Sequence, residues 1–236
     1  MSQHIGIVVC SAEGAALCYR TICDEAPALM GRHMHPEISM HTFPLGEYMD
    51  SIYKDDWKGV ARLMLASAKK LKAAGADFLI CPDNTIHRAL PDVLSESPLP
   101  WLHIVEEVAA EAQRRGLKKL AITGTKYTME GPVYPEVLKK AGLDYRVPSP
   151  LDREKIDKII FDELVNGQFR SESLGVFRSI IDRLKSEGCD AVVLGCTEIP
   201  LLVTPETSPL PVLDSTRLLA RAALRKAIGN AVSART

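Results

Sequence analysis

An internal repeat at an interval of about 113 residues constrains the fold of this chain more than any other feature. Three pairs of segments match in the same order at nearly one offset: residues 5–9 with 120–124, 74–80 with 187–193, and 99–102 with 210–213. Self-similarity at a fixed interval is the sequence signature of a repeated structural unit. The chain of 236 residues is therefore predicted to contain two copies of one unit, each large enough to bury a core.

Short β-branched runs alternate with longer amphipathic segments along both copies. Strands are predicted at residues 5–9, 77–80, 119–123 and 190–194, and helices at 57–74, 104–115, 153–165, 174–185 and 216–228. The strands are apolar throughout, which is typical of parallel sheets that helices cover on both faces. The sequence therefore predicts an α/β fold.

Charge and cysteine content restrict the class of protein. Lys plus Arg total 29 against 30 for Asp plus Glu, so the net charge of −1 gives no electrostatic case for nucleic acid or a membrane surface as partner. No apolar run approaches the roughly 18 residues of a membrane-spanning helix, and the first residues do not resemble a signal peptide. The six cysteines show no metal-like spacing, which indicates reduced thiols in the cytoplasm.

Each copy carries a polar cluster directly after a predicted strand. Three pairs of residues correspond across the repeat: Asp83 with Cys196, Asn84 with Thr197, and Thr85 with Glu198. Parallel α/β sheets bind ligands at the carboxyl ends of their strands. Pseudo-twofold symmetry would place Asp83 and Cys196 face to face across a cleft. Two opposed acid/base groups can take a proton from one face of a carbon and return it to the other, which predicts a racemase or epimerase.

Four segments of the chain resemble the aspartate/glutamate racemase family, whose members act without pyridoxal phosphate. Residues 82–87 (PDNTIH) are similar to the family motif Cys-Asn-Thr-x-His, and residues 194–200 (LGCTEIP) to its motif Gly-Cys-Thr-Glu. Residues 123–129 match the opening of the family's second half, and residues 155–169 a segment typical of its amino-acid racemase branch. The resemblance covers most of the chain.

This resemblance implies two flavodoxin-like, parallel-sheet domains related by pseudo-twofold symmetry, with the active site in the cleft between them. It also implies that the end of the chain completes the first domain, so we expect residues 1–105 plus 210–236 in one domain and 106–209 in the other. Homodimers are common in the family. We therefore expect a cytoplasmic homodimer that acts on a small amino acid or carboxylate and uses neither a metal nor a cofactor.

The sequence departs from the family pattern at three places. Asp83 stands where the first motif has its cysteine, and Cys81 falls two residues earlier, at the end of the predicted strand. Residues 10–14 (CSAEG) replace a glycine-rich turn. Residues 33–48 contain no arginine, although some members use an arginine after the second strand to bind the distal carboxylate of the substrate.

Asp83 and Cys196 are the predicted catalytic pair. A desolvated carboxylate can accept an α-proton, and the alternative role of Asp83 is an Asx-type turn after Pro82. A thiol at a strand-to-helix turn can act as a thiolate base, and the alternative role of Cys196 is structural. Seven further residues are predicted to contact the substrate: Ser11, Asn84, Thr85, Thr125, Lys155, Thr197 and Glu198.

Two other functions are compatible with the same residues. In the same superfamily a single thiol serves the decarboxylation of arylmalonates, and related folds isomerise maleate, so Cys196 alone could support such chemistry. The chain could instead bind a small carboxylate without catalysis. The intact Gly-Cys-Thr-Glu segment favours an enzyme, and the paired polar clusters favour a cofactor-independent amino-acid racemase.

Overall fold

The computed structural model of the protein describes residues 2–229. Its internal contacts divide the chain into two compact units, of which the second is Val105–Ser215. The first unit consists of the described residues up to Ile104 and those from Thr216 onward. The first unit is therefore discontinuous in sequence. No helix among the described residues is both long and apolar enough to cross a membrane.

The first unit is built on a parallel sheet of three strands: β1 (Ile5–Val9), β2 (Ile38–Thr42) and β3 (Phe78–Ile80). The strand order is β2-β1-β3, and the register places Ile7 beside Ile80. Trp101 extends this sheet through an isolated parallel bridge to Leu79. The helices that precede the second unit are α1 (Ala12–Glu25), α2 (Pro27–Met30), α3 (Leu45–Tyr53), α4 (Trp57–Ala73) and α5 (Leu90–Leu94).

Local sequence signals explain where the long helix α4 begins and ends. The side chain of Asp56 accepts a hydrogen bond from the N–H of Gly59 at 2.8 Å and so caps the first turn. Gly75 follows the helix with a φ of +94°, a left-handed conformation that glycine adopts without a steric penalty. The chain therefore reverses direction at Gly75 and continues into the buried strand β3.

The second unit is built on a parallel sheet of four strands: β4 (Lys119–Thr123), β5 (Asp144–Arg146), β6 (Ala191–Leu194) and β7 (Val212–Asp214). The strand order is β5-β4-β6-β7. Its helices are α6 (Ile104–Arg114), α7 (Lys126–Glu130), α8 (Val133–Lys140), α9 (Pro150–Asp162) and α10 (Ser171–Ser186). The last helix, α11 (Ser215–Ile228), begins at the boundary and continues in the first unit.

The core of the second unit shows why its central strand is apolar at every position. All four residues of β6 are buried. Phe177 and Ile181 of α10, together with Ile156 and Ile160 of α9, belong to the same apolar cluster as Val192 of β6. Burial of each such side chain contributes about 1.5–3 kcal/mol relative to exposure. Apolar burial therefore fixes the position of β6, and with it the point at which the loop after β6 leaves the sheet.

The two sheets have corresponding strand orders, as expected from the internal repeat. The order β2-β1-β3 corresponds to β5-β4-β6, and the bridge at Trp101 occupies the place that β7 takes in the second sheet. This order matches the first four strands of flavodoxin-like sheets. The protein therefore has an α/β fold with two parallel-sheet domains.

The boundary near residue 210 differs from the expected one. The resemblance implies that residues 210–236 belong to the first domain, but Leu213 of β7 pairs with Val193 of β6 in the second sheet. Each of the repeated Leu-Pro segments thus leads into the last strand position of its own sheet: residues 210–211 precede β7, and residues 99–100 precede the bridge at Trp101. The return to the first unit begins at Thr216, and residues 230–236 of the expected domain lie outside the described residues.

Replacing either of two glycines in or after helix α10 by alanine should change the free energy of unfolding, and the two changes should have opposite signs. Gly188 follows the helix with a φ of +88°, whereas a Cβ on Gly175 inside α10 would meet nothing within 4 Å. We expect Gly188→Ala to lower the free energy of unfolding by about 1 kcal/mol or more. Gly175→Ala should raise it by up to about 1 kcal/mol, because alanine is the better helix former. Urea unfolding followed by circular dichroism measures both effects, and effects of the same sign would contradict the geometry.

Candidate active site

The polar cluster of the first unit lies at the carboxyl ends of its two central strands. Asp83, Asn84 and Thr85 follow β3, and Ser11 follows β1. Because β1 and β3 are neighbouring parallel strands, these residues leave the sheet at the same edge. Asn84 is buried, and Asp83, Thr85 and Ser11 are half-buried. The structure therefore brings the four predicted site residues of this unit to one edge.

Short turns hold the cluster in place. Ser11 caps helix α1, and its Oγ accepts a hydrogen bond from the N–H of Gly14 at 3.3 Å. The Oδ1 atom of Asp83 accepts one from the N–H of Ile86 at 3.2 Å, within the 3-10 helix Thr85–Ala89. Asp83 thus makes the turn contact expected of an Asx-type residue. That contact engages Oδ1 and directs the carboxylate.

His87 is a buried histidine whose two ring nitrogens have different partners. The N–H at Nδ1 donates to the main-chain carbonyl of Asp83 at 2.6 Å. Nε2 accepts from the N–H of Ile104 at 3.3 Å. A carbonyl can only accept and an amide N–H can only donate, so the ring is neutral and carries its proton on Nδ1. Burial, followed by the ring of His103 at 4.7 Å, lowers the pKa of His87 to about 3.

Two buried residues beside this cluster are not suited to proton transfer with a substrate. Cys81 is fully buried, and burial followed by the charge of Asp83 raises the pKa of its thiol well above the usual range. Burial likewise raises the pKa of Tyr48, with smaller contributions from Cys81 and Cys10. Cys81 therefore behaves as the core residue that its place at the strand end predicts.

The polar cluster of the second unit is organised around a carboxylate. Cys196, Thr197 and Glu198 follow β6, and both Thr197 and Glu198 are buried while Cys196 is half-buried. The thiol of Cys196 donates to Oε2 of Glu198 at 2.9 Å, and the hydroxyl of Thr197 donates to the same oxygen at 2.7 Å. Within this unit Glu198 thus orients the thiol and the hydroxyl through one carboxylate oxygen.

Close approach of two loops explains the glycines that precede Thr125 and Cys196. The N–H of Gly195 donates to the carbonyl of Thr123 at 2.8 Å, and a Cβ on Gly195 would lie 2.6 Å from that oxygen. A Cβ on Gly124 would lie 2.9 Å from the carbonyl oxygen of Gly195. Only glycine fits at such separations. The loops after β4 and β6 are therefore held together, next to Thr125 and Cys196.

Thr128 links these loops further. Its Oγ1 lies 3.5 Å from Oγ1 of Thr125 and donates to the carbonyl of Gly195 at 3.5 Å. Thr128 lies in residues 123–129, the segment that resembles the opening of the family's second half. Thr125 is the N-cap residue of the short helix α7, and Thr128 follows three residues later in its first turn.

Lys155 occupies a different part of the second unit. It lies on α9 with its side chain 60% exposed, and its Nζ is 3.5 Å from Oδ1 of Asp152. Asp152 also forms an ion pair with Arg183 of α10, at 2.8 Å. The structure thus brings Thr125 together with the loop of Cys196, Thr197 and Glu198, and places Lys155 in a surface ion cluster on another element.

Comparison with known proteins adds independent information on the family. A family model described as Asp/Glu/Hydantoin racemase matches residues 7–223 of the chain. Among curated proteins, the broad specificity amino-acid racemase RacX of Bacillus subtilis is 26% identical over 196 residues, which cover 79% of this chain and 80% of the relative. The match therefore extends over both units.

Solved structures with the same fold cover almost the whole chain. A candidate Asp/Glu racemase from Yersinia pestis is 31% identical with a TM-score of 0.89, and the match covers 96% of this chain and 100% of the other. An aspartate racemase homologue from Pyrococcus horikoshii OT3 is 29% identical with a TM-score of 0.85 and coverage of 97% and 100%.

The neutral state of His87 predicts a loss of stability in mild acid. Its pKa is lowered in the folded protein, so below the ordinary value of about 6.5 only the unfolded chain binds a proton there. The free energy of unfolding should fall as the pH decreases from about 6.5 toward 4, by about 1.4 kcal/mol per pH unit from this residue. Urea unfolding at several pH values measures the slope. We expect His87→Gln to flatten it, whereas the exposed control His35→Gln should keep it, and equal slopes in all three proteins would contradict the prediction.

Proposed function

Because the chain belongs to the Asp/Glu/hydantoin racemase family, we propose that it is a cofactor-independent amino-acid racemase whose acid/base groups are Asp83 and Cys196. One observation carries this proposal. The two residues occupy corresponding positions after the corresponding strands β3 and β6, and each precedes a 3-10 helix. The N–H of Ile86 donates a hydrogen bond to the side chain of Asp83, and the N–H of Ile199 donates one to the main-chain carbonyl of Cys196 at 3.3 Å.

The proposed reaction moves one proton from carbon and one proton to carbon. The carboxylate of Asp83 takes the α-proton from one face, and the electron pair of the C–H bond stays on carbon. The thiol of Cys196 then gives its proton to the opposite face and becomes a thiolate. The reverse reaction uses the thiolate as base and protonated Asp83 as acid. Because the α-proton is weakly acidic, the carbanion-like state needs stabilisation by hydrogen-bond donors.

We assign that stabilisation to donors at the strand ends. The candidates are backbone N–H groups together with the side chains of Ser11, Asn84, Thr85, Thr125 and Thr197. Their burial or half-burial supports this assignment, because hydrogen bonds to a carboxylate are stronger where water is excluded. Lys155 stays outside the proposed set because it is exposed and paired with Asp152.

The substrate class proposed is a small amino acid without a required acidic side chain. Residues 33–48 contain no arginine that could pair with a distal carboxylate. A curated relative is named as a broad specificity amino-acid racemase, which supports the same proposal. We further propose a homodimer in the cytoplasm, where the six cysteines, none of which forms a disulfide in the described part of the chain, stay reduced.

The first test of the catalytic pair compares two cysteines. Single enantiomers of a panel of amino acids are incubated in D₂O, and mass spectrometry follows incorporation of deuterium at the α-carbon. We expect Cys196→Ala to lower this exchange by about 100-fold or more from the enantiomer whose α-proton Cys196 takes, because it removes the acid/base group on that face. Cys81→Ala should keep most of the exchange, because Cys81 is a fully buried core residue. A loss confined to the Cys81 variant would show that the two halves are aligned incorrectly.

The second test separates two-sided from one-sided chemistry at Asp83. Asp83→Asn should abolish exchange from one enantiomer, because an amide cannot accept the proton. The other enantiomer should still exchange its proton through Cys196, without inversion. Chiral chromatography measures inversion in the same samples. Asp83→Cys, which restores the family's two-thiol pattern, should recover exchange on the impaired face. Full activity of Asp83→Asn from both enantiomers would instead favour the single-thiol alternative.

A further inference from the structure

His87 connects two segments of the first unit just beyond the bridge that joins β3 to Trp101. Asp83 lies three residues beyond the end of β3, and Ile104 begins α6. The imidazole of His87 bridges them, with 2.6 Å from Nδ1 to the carbonyl oxygen of Asp83 and 3.3 Å from Nε2 to the nitrogen of Ile104. The side chain is 1% exposed, so water does not compete for either bond.

Both ring nitrogens are engaged, which restricts how the ring can turn. A rotation about the Cβ–Cγ bond would break both hydrogen bonds at once and leave buried polar groups unsatisfied, at a cost of about 1–3 kcal/mol each. The ring of His103 packs edge-on against His87, with 4.7 Å between centroids and an interplanar angle of 63°. The carbonyl of Asp83 is therefore held by a side chain that is itself fixed in orientation.

The direction of the Asp83 carboxylate depends on this local backbone. Its Oδ1 accepts from the N–H of Ile86, one residue before His87 on the same 3-10 helix. Asp83 is thus bound twice by one short segment, through its side chain at Ile86 and through its carbonyl at His87. If the carbonyl is released, the peptide can rotate and the carboxylate turns with it.

We infer that His87 is a positioning residue, which holds the backbone of Asp83 so that its carboxylate meets the α-proton. The inference rests on the proposed function, since it needs Asp83 to exchange that proton. His87 acts through Asp83 and not on the substrate. A misplacement of about 1 Å in a reacting group can lower a rate by about 100-fold. His87 should therefore influence the face of the substrate that Asp83 serves, and not the face that Cys196 serves.

Two amide substitutions separate the two bonds of the ring. The amide nitrogen of Asn is as far from the backbone as Nδ1 of histidine, so His87→Asn keeps a donor for the carbonyl of Asp83. The longer side chain of Gln reaches the position of Nε2, so His87→Gln keeps an acceptor for Ile104 and loses the donor to Asp83. Both side chains are neutral and polar, so each variant is the matched control of the other.

The experiment measures deuterium exchange separately from each enantiomer in the full-length protein. The enantiomer whose exchange Asp83→Asn abolishes is assigned to Asp83. For that enantiomer we expect His87→Gln to lower kcat by about 10-fold to 100-fold with little change in KM, and His87→Asn to stay within about threefold of the parent. For the other enantiomer both variants should stay within about twofold. In the double variant Asp83→Asn/His87→Gln, exchange should equal that of Asp83→Asn alone.

Each alternative outcome has a distinct meaning. Equal losses from both enantiomers, or further loss in the double variant, would assign His87 a purely structural role and overturn the inference. Parent-like exchange in His87→Gln would overturn it as well. Full exchange in Asp83→Asn from both enantiomers would refute the proposed role of Asp83 instead.

A measurement on the unchanged protein guards against variants that do not fold. Nitrogen-15 NMR of the histidine rings distinguishes the two neutral tautomers. We expect His87 to carry its proton on Nδ1 at pH 7. A proton on Nε2 would remove the donor to Asp83 and overturn the inference without any substitution.

Discussion

The pairing of two buried parallel strands in each unit is the constraint on which the rest of the structure depends. In both pairs, β1 with β3 and β4 with β6, the strands are buried at nearly every position. Parallel pairing makes both strands end at one edge, so the loops that carry polar side chains must leave together. The sheet itself contributes no chemistry. It determines only that the loop of Asp83 leaves beside Ser11, and the loop of Cys196 beside Thr125.

The two acid/base candidates are supported in different ways, although their positions correspond. Asp83 is held through its own backbone by His87, and its carboxylate is directed by a turn. Cys196 is held through its side chain by the buried carboxylate of Glu198. A carboxylate on one side and a thiol on the other make the two directions of proton transfer chemically unequal. The proposed racemase would therefore differ in kcat and in KM between the two enantiomers, although their kcat/KM values must be equal because the equilibrium constant of a racemisation is one. Each half of the site could be altered independently.

Much of the fold could be predicted from residue patterns, and the exceptions have separate physical causes. The predicted strands at 5–9 and 119–123 agree with β1 and β4 at both ends, because continuous burial leaves a continuous apolar run. The residue patterns do not predict the edge strands β2, β5 and β7, which are only partly buried and carry polar residues. They do not predict the helices α1, α3, α7 and α8 either. Helix α9 begins at Pro150, three residues earlier than predicted, because Ser149 caps it by accepting the N–H of Asp152 at 3.3 Å.

The sequence by itself determined the repeat, the two polar clusters and the family, because each is a property of neighbouring residues or of their spacing. The tertiary structure alone decided what those residues touch. It placed three pairs of residues within hydrogen-bond distance: His87 and Ile104, Gly195 and Thr123, and Glu198 and Cys196. Periodicity records whether a side chain is buried, but a hydrogen bond depends on which distant group approaches to within about 3 Å. That approach is set by the packing of strands and helices, which no short segment contains.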